Sequence, residues 1–243
     1  MVLFFMPLAY VFLLSFANNW RYPLLLPENF SLETWTYLFK TDYYVGLTFG
    51  VSILLSISVA ILATCFGFFM SKSLSTHSLK SLFIASINFS YAFSPVVYAF
   101  CLNFLFIKLN LIGTLSGVVL AQCIIAFPFS YALCMQHWTN ELLNLDNVVL
   151  LLGGSRTQSF FKVILPLSKN ILLICFFQTF LISWFEYGLT SIIGLGKIQT
   201  LTLKTYQFIG ESNIYFAAMS SVLLVFPPLL LFWFNRQFVF RKM

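Results

Sequence analysis

The chain has 243 residues, of which 60% are hydrophobic and only 8% are charged. About a quarter of the residues of a soluble domain are charged, so this composition excludes a soluble globular protein. An apolar content this high also excludes a disordered chain, and 11 Gly and 5 Cys exclude collagen-like and disulfide-framework proteins. The mean hydropathy of +0.93 indicates a polytopic membrane protein.

Membrane-spanning helices are predicted wherever about 20 residues pass without a charged side chain. Trimming these stretches at turn residues predicts six spans, near residues 1–17, 47–70, 82–106, 115–136, 169–189 and 214–234. Each span must be helical, because an isolated strand in lipid leaves its backbone groups unpaired. The predicted fold class is therefore all-α integral membrane, with residues 1–243 forming a single domain.

The first segment could be either a spanning helix or a leader peptide, because a leader peptide is also apolar. Residues 1–16 carry no basic residue ahead of the apolar run, which is unlike a cleavable signal peptide. We therefore expect a first spanning helix with a minimal cytoplasmic tail.

The lysines and arginines predict the orientation of the spans. With both termini inside, eight basic residues fall on the cytoplasmic side and five outside, as the positive-inside rule requires. The inner residues are Lys72, Lys80, Arg156, Lys162, Lys169, Arg236, Arg241 and Lys242. The net charge of +6 then lies on the cytoplasmic face, and no basic cluster interleaved with aromatic residues points to nucleic acid.

The largest inner segment, residues 137–168, has the pattern of an elbow. A helix is predicted to run up to Gly153-Gly154-Ser155, followed by a short second helix that ends before Pro166. Val148 and Val149, with the leucines that follow, give the first helix an apolar face that is too short to cross a bilayer. Such an elbow is either a docking element for another protein or an interfacial helix that packs on its own bundle.

Residues 146–167 resemble the cytoplasmic loop of the permease subunits of binding-protein-dependent (type I) ABC importers. That loop reads approximately Glu-Ala-Ala, three residues, Gly-Ala-Ser, and then Phe and Val before Leu-Pro. The residues at matching spacing are Gly153, Gly154, Ser155, Gln158, Phe160, Val163, Leu165 and Pro166. The Glu-Ala-Ala positions hold Asn147, Val148 and Val149, so that part of the motif differs. Residues 183–194 further resemble the iron, sulfate, thiamine and polyamine branch.

This resemblance implies a transport subunit of the bacterial cytoplasmic membrane. The permease would pair with a second copy or a sister permease, receive substrate from an extracytoplasmic binding protein, and dock on a cytoplasmic ABC ATPase. The implied ATPase-coupling residues are Asp146, Asn147, Val148, Val149, Gly153, Gly154, Ser155, Phe160 and Pro166.

Enzymatic chemistry is not expected in this chain. Gly196-Lys197 lacks both the upstream Gly and the following Ser or Thr of a phosphate-binding loop. His77 and His137 have no partner at ligand spacing, so neither a metal nor a cofactor is expected. We interpret the five cysteines as small core hydrophobes, with disulfides not expected.

Two residues are candidates for the substrate pathway. Glu186 lies at the outer end of the fifth span and could line the path, but a solvated residue paired with a loop lysine such as Lys197 is the favoured interpretation. Pro95, after Ser94, should bend or interrupt the third span, and kinked helices either border pathways or simply pack.

One alternative to the permease is an ATP-independent secondary carrier or a membrane scaffold subunit, in which the elbow is only an interfacial helix. The absence of a carboxylate pair at mid-membrane in the sequence favours the permease.

Overall fold

The computed structural model describes residues 2–18, 20, 24, 26–37, 45–75, 77, 85 and 93–238. Its helices, in chain order, are α1 (Val2–Leu14), α2 (Glu33–Thr36), α3 (Val45–Ser75), α4 (Pro95–Lys108), α5 (Leu115–His137), α6 (Asn140–Leu151), α7 (Arg156–Ser159), a π-helix (Phe160–Ile164), α8 (Leu165–Leu167), α9 (Lys169–Trp184), α10 (Gly188–Gly194), α11 (Leu201–Gly210) and α12 (Ile214–Phe238). Two short antiparallel strands, β1 (Ala17–Asn18) and β2 (Asn29–Phe30), interrupt this helical fold.

Among the described residues, three helices, α3, α5 and α12, are long and apolar enough to cross a membrane. The segment Arg156–Leu167 and helix α9 meet at an angle of 68° and count together as a fourth candidate. The part of the prediction that is confirmed is a helical fold in which three to four helices of the described part of the chain could cross a membrane.

The other predicted spans differ from the helices that the structure contains. Helix α1 has 13 residues, about 20 Å of helix against about 30 Å of hydrocarbon. Of the third predicted span, α4 begins only at Pro95, and most of residues 82–92 lie outside the described part of the chain.

The fifth predicted span, residues 169–189, is wrong at its C-terminal end. Helix α9 ends at Trp184, and a new helix starts at Gly188. The Trp184 carbonyl accepts a hydrogen bond from the Thr202 hydroxyl at 2.8 Å, so a partner outside the helix satisfies it. Glu186 then caps the new helix, which explains why the chain breaks at this point.

Helix α3 shows how the bundle is arranged relative to lipid. Its buried face carries a row of hydroxyl side chains, and its exposed face is apolar. The buried residues include Thr48, Ser52, Ser56, Thr64 and Ser71, and the exposed residues include Leu54, Ile61, Phe66 and Phe69. Because a membrane protein exposes apolar side chains and buries small polar ones between helices, this pattern fits a lipid environment.

Helices α3, α5 and α9 form the centre of the bundle. Close approach of α3 and α5 depends on Gly67, because a Cβ there would lie 2.8 Å from the Cβ of Ser130. The hydroxyls of Thr64 and Thr179, 3.3 Å apart, join α3 to α9. These contacts place small and hydroxyl residues at the helix interfaces, as in other membrane bundles.

The interpretation of all five cysteines as core residues is wrong for two of them. Cys134 and Cys175 are buried between α5 and α9, with their sulfur atoms 3.3 Å apart, and Cys123 is half-buried. Cys65 and Cys101 are exposed. Lipid and the interior of a helix bundle are both apolar. An apolar stretch of sequence therefore does not distinguish core positions from lipid-facing positions. All five are free thiols.

Candidate functional site

The predicted break at Gly153-Gly154-Ser155 is present, and it has a defined geometry. Helix α6 begins after Thr139, whose hydroxyl accepts a hydrogen bond from the Leu142 amide. At its end the Gly153 amide donates to Leu150 O and the Gly154 amide donates to Val149 O, at 3.1 and 2.9 Å. This paired arrangement is a Schellman motif, which requires a left-handed residue after the helix. Gly153 supplies it with a φ of +83°.

The two glycines of the elbow have different roles. A Cβ on Gly153 would meet nothing within 4 Å, so the backbone angle alone favours glycine there. A Cβ on Gly154 would lie 2.7 Å from Val149 Cγ1 and 2.9 Å from Val149 O, so the packing of the turn favours glycine at that position.

The second arm of the elbow begins with a capping box. The Ser155 hydroxyl accepts a hydrogen bond from the Gln158 amide at 3.2 Å, and the Ser155 amide donates to Gln158 Oε1 at 3.1 Å. Such reciprocal bonds fix the start of a helix, so Ser155 determines where the second arm leaves the turn.

The second arm does not end before Pro166, as the sequence pattern predicts, but continues through Pro166 to Leu167. A π-helix at Phe160–Ile164 precedes the proline, and the Leu165 amide donates to Phe160 O. Proline lacks the amide that an α-helix would need at this position, and the wider π turn accommodates it. The chain bends only afterwards, at Ser168, by 68°.

An apolar knuckle lies at the tip of the elbow. We use this term for Val148, Leu151 and Leu152. The side chains of Leu151 and Leu152 are 86% and 82% exposed, and that of Val148 is 46% exposed. At the end of a bundle these leucines contact little of their own chain. Leu142, at the start of the same helix, is buried in a cluster with Phe68 and Trp138, so the helix packs on the bundle at one end and is exposed at the other.

The predicted coupling residues divide into an exposed and an anchoring set. Asn147, Gly153, Ser155 and Pro166 are exposed, and Val149 and Gly154 are half-buried. Asp146 lies in α6, and its side chain is outside the described part of the structure.

Phe160 belongs to the anchoring set. Its ring stacks on Phe69 of α3 at a centroid distance of 5.7 Å and an interplanar angle of 19°. The Lys72 ammonium lies 5.9 Å from the centroid of the same ring. The second arm is therefore attached to α3, whereas the knuckle is exposed.

Two hydrogen bonds attach the ends of the elbow to the bundle. The Trp138 indole donates to the Ser71 hydroxyl of α3 at 2.8 Å. His137 Nε2 and the Ser168 hydroxyl, 2.9 Å apart, join the end of α5 to the bend before α9. The sequence gives no signal for these pairs, because their members are 31 and 67 residues apart along the chain.

Glu186 is not the solvated residue paired with Lys197 that was favoured from sequence. Its side chain is only 8% exposed. One carboxylate oxygen accepts from the Leu189 amide at 2.7 Å, and the other accepts from the Thr190 amide and hydroxyl at 2.9 and 2.7 Å. A carboxylate that receives the first amides of a helix stabilises its N-terminus, so Glu186 caps α10.

The Glu186 carboxylate ends a buried chain of polar side chains, which we call the polar chain. Gln122 Nε2 donates to the Thr190 hydroxyl at 2.8 Å, and Gln122 Oε1 accepts from the Ser183 hydroxyl at 2.5 Å. The Ser56 and Ser183 hydroxyls are 3.2 Å apart. The polar chain thus joins α3, α9, α5 and α10, and each member is at most 8% exposed. Glu186 is the one member of the polar chain that the sequence analysis identified. The four-residue spacing of Glu186 and Thr190 is a signal that could have suggested the cap.

Pro95 stands at the first position of α4, after an extended Ser94 with ψ of 144°. Proline is favoured there because its missing amide would have no helical partner. Gly188 begins α10 beside this helix start, and a Cβ on it would lie 2.6 Å from Val96 Cγ2. The structure therefore brings the two pathway candidates, Glu186 and Pro95, into neighbouring turns. Glu186 caps the N-terminus of α10, and Pro95 is the first residue of α4.

No protein-family model matches this sequence, and no curated protein matches it significantly. Among the described residues, no group of three or more His, Cys, Asp and Glu side chains could hold a metal ion. The described part of the chain is helical, with three to four helices that could cross a membrane, an exposed apolar knuckle and a buried polar chain.

Proposed function

We propose that this chain is the permease subunit of a type I ABC importer, which forms a substrate path across the bacterial cytoplasmic membrane. The knuckle would dock on a cytoplasmic ATPase, and the substrate would arrive from an extracytoplasmic binding protein. The finer arrangement of six spans with both termini inside, paired with a second copy or a sister permease, is part of this proposal.

The observation that carries the proposal is the contrast within the elbow. Leu151 and Leu152 project from its tip almost fully exposed, while Phe160 packs on α3. A surface that receives force needs an accessible tip and a firm attachment to the helices that must move. Displacement of the knuckle would be transmitted through Phe160 and Trp138 to α3, and through Ser168 to α9.

The altered Glu-Ala-Ala positions indicate which kind of contact would hold the ATPase partner. Asn147 and Val148 are exposed on α6, so both can contact a docked protein. Because neither is acidic, docking would rest on apolar contact with the knuckle more than on charge.

The test is isolation of the tagged full chain from its native membranes in mild detergent, followed by labelling of the co-purified proteins with a photoreactive ATP analogue. We expect a labelled subunit with the unaltered chain and its loss with Leu152→Asp, because a charge at the centre of an apolar contact is left unpaired. Leu195→Asp is the matched control, since the Leu195 side chain is 59% exposed and the residue is far from the elbow in the chain. The backbone of Leu195 is in the left-handed region, which Asp tolerates. Equal capture by both variants would count against docking through the knuckle.

An ATP-independent carrier is the second candidate, and the buried Glu186 is the observation that favours it. A carrier predicts uptake driven by an ion gradient in liposomes that contain only this chain. The permease proposal predicts no uptake there.

A further inference from the structure

Two buried thiols meet where the two ends of the elbow enter the bundle. Cys134 lies in the last turn of α5, and Cys175 lies in the second turn of α9. Both side chains are fully buried, and their sulfur atoms are 3.3 Å apart. Because the elbow connects α5 to α9, this contact joins the two helix ends from which the elbow projects.

The two sulfur atoms lie in an apolar cluster with one polar neighbour. Phe68 of α3 and Trp138 belong to the same buried cluster as both cysteines. The Cys175 thiol donates to the Ser130 carbonyl at 3.9 Å. Ser130 is one turn before Cys134 on the same face of α5, and its buried hydroxyl has no hydrogen-bond partner among the described residues.

We propose that Cys134 and Cys175 form a reversible disulfide when a peroxide reaches the bundle, and that this bond holds the adjoining ends of α5 and α9 together. Sulfur atoms 3.3 Å apart need to approach by only about 1.3 Å to reach the bonding distance of a disulfide. Disulfides in contact with a reducing cytosol are usually transient and redox-sensing, which fits a pair whose members are free thiols in this structure.

The oxidation balances with hydrogen peroxide as the oxidant. One sulfur, as its thiolate, attacks a peroxide oxygen and becomes a sulfenic acid, and the leaving hydroxide takes up the thiol proton to form water. The second sulfur then attacks the sulfenic sulfur, the S–S bond forms, and the displaced hydroxide leaves as water with the second thiol proton. Two thiols thereby lose two electrons and two protons, and one peroxide becomes two water molecules. The Ser130 hydroxyl can donate a hydrogen bond to the sulfenic oxygen between the two steps.

Burial confines this oxidation to moments when the ends of α5 and α9 separate, because fully buried thiols are otherwise inert. Hydrogen peroxide is small and uncharged, so a local opening of the helix ends admits it. The consequence for transport rests on the proposed function. In a permease the contact between α5 and α9 opens when the elbow moves, so the disulfide would hold the elbow at rest.

The test uses the full chain in lipid nanodiscs, with Cys65, Cys101 and Cys123 replaced by Ser so that only the buried pair can react. After hydrogen peroxide treatment the chain is unfolded in excess N-ethylmaleimide, which prevents thiol exchange during work-up. Non-reducing mass spectrometry should show a peptide that links Cys134 to Cys175 and is lighter by two hydrogen atoms, and dithiothreitol should restore both thiols. Cys134→Ser and Cys175→Ser should each abolish the linked peptide, and the use of both variants keeps the test informative if one fails to fold.

Hydrogen exchange measures whether the disulfide holds the helix ends together. Amides at residues 131–137 and 169–175 should exchange about tenfold more slowly after oxidation, because the bond restricts the local separation of these helices. The same treatment should leave exchange unchanged in Cys175→Ser. Neither measurement needs an ATPase, so a failure of docking through the knuckle would leave these results intact.

Two results would overturn the proposal. The first is that Cys134 and Cys175 remain free thiols, or become sulfinic acids with no linked peptide, under peroxide that fully oxidises the exposed Cys101 of the unaltered chain. The second is a linked peptide with no slowing of exchange in α5 and α9, which would show that the bond does not restrict the helix ends.

Discussion

The two ends of helix α9 are built in opposite ways. The elbow that precedes its N-terminal end carries Leu151 and Leu152, whose side chains are 86% and 82% exposed. At its C-terminal end Glu186, at 8% exposure, lies inside the polar chain with three hydrogen bonds. One end therefore presents apolar atoms to the outside, and the other encloses polar atoms.

The difference separates an exposed apolar surface, which we propose docks on a partner, from a joint within the bundle. Hydrogen bonds gain strength away from water, so the polar chain can fix how α3, α5, α9 and α10 meet. Exposed leucines contribute little to the stability of their own chain, and their gain in free energy comes when another molecule covers them. Substitutions at the two ends should accordingly affect different quantities.

The largest effect is expected at Glu186. Glu186→Ala leaves the Leu189 amide and the Thr190 amide and hydroxyl without their acceptor, and should lower the free energy of unfolding by about 3 kcal/mol. Denaturant unfolding in detergent micelles measures this change. Glu211→Ala is the control, because Glu211 is exposed and accepts one bond from Gln207. An equal loss of stability in the two variants would show that the buried cap has no special role.

A smaller effect is expected at the elbow turn. Gly153→Val places a β-branched residue at a φ of +83° and should cost about 1–2 kcal/mol locally. Gly153→Asn should cost less, because Asn tolerates the left-handed region. Hydrogen exchange of the Gly154 amide should accelerate in the Val variant while exchange in α3 stays unchanged. Faster exchange throughout α3 would contradict the separation of the elbow from the core.

The smallest effect is expected from Ser155→Ala. Loss of the cap should destabilise the second arm by about 1 kcal/mol. The Gln158 amide should then exchange faster, and the midpoint of global unfolding should hardly move. Thr200→Ala gives a matched comparison, since Thr200 caps α11 in the same way but is buried within the bundle. If Ser155→Ala lowers global stability as much as Thr200→Ala, the elbow is part of the cooperative core.

Local signals in the sequence account for what could be predicted. Gaps between charges located α3, α5 and α12, because the bilayer sets a minimum apolar length. Gly153, Gly154 and Ser155 marked the elbow, since their turn and cap chemistry involves residues at most five positions away.

Most of what the sequence did not predict depends on distant partners. Glu186 is buried beside a helix start where Gly188 packs against Val96, more than 90 positions earlier in the chain. The polar chain joins Ser56, Gln122 and Ser183, whose meeting depends on how the helices assemble. Pro166 indicated a helix end, but a π-helix accommodated it instead.

Contact between the knuckle and a cytoplasmic ATPase is what we propose for this chain. The most direct measurement places a photo-cross-linking amino acid at position 152, or at 195 as control, in the full chain within native membranes. We expect position 152, and not position 195, to cross-link to a partner that binds a photoreactive ATP analogue. Cross-links from position 152 only to lipid or to another copy of this chain would contradict it.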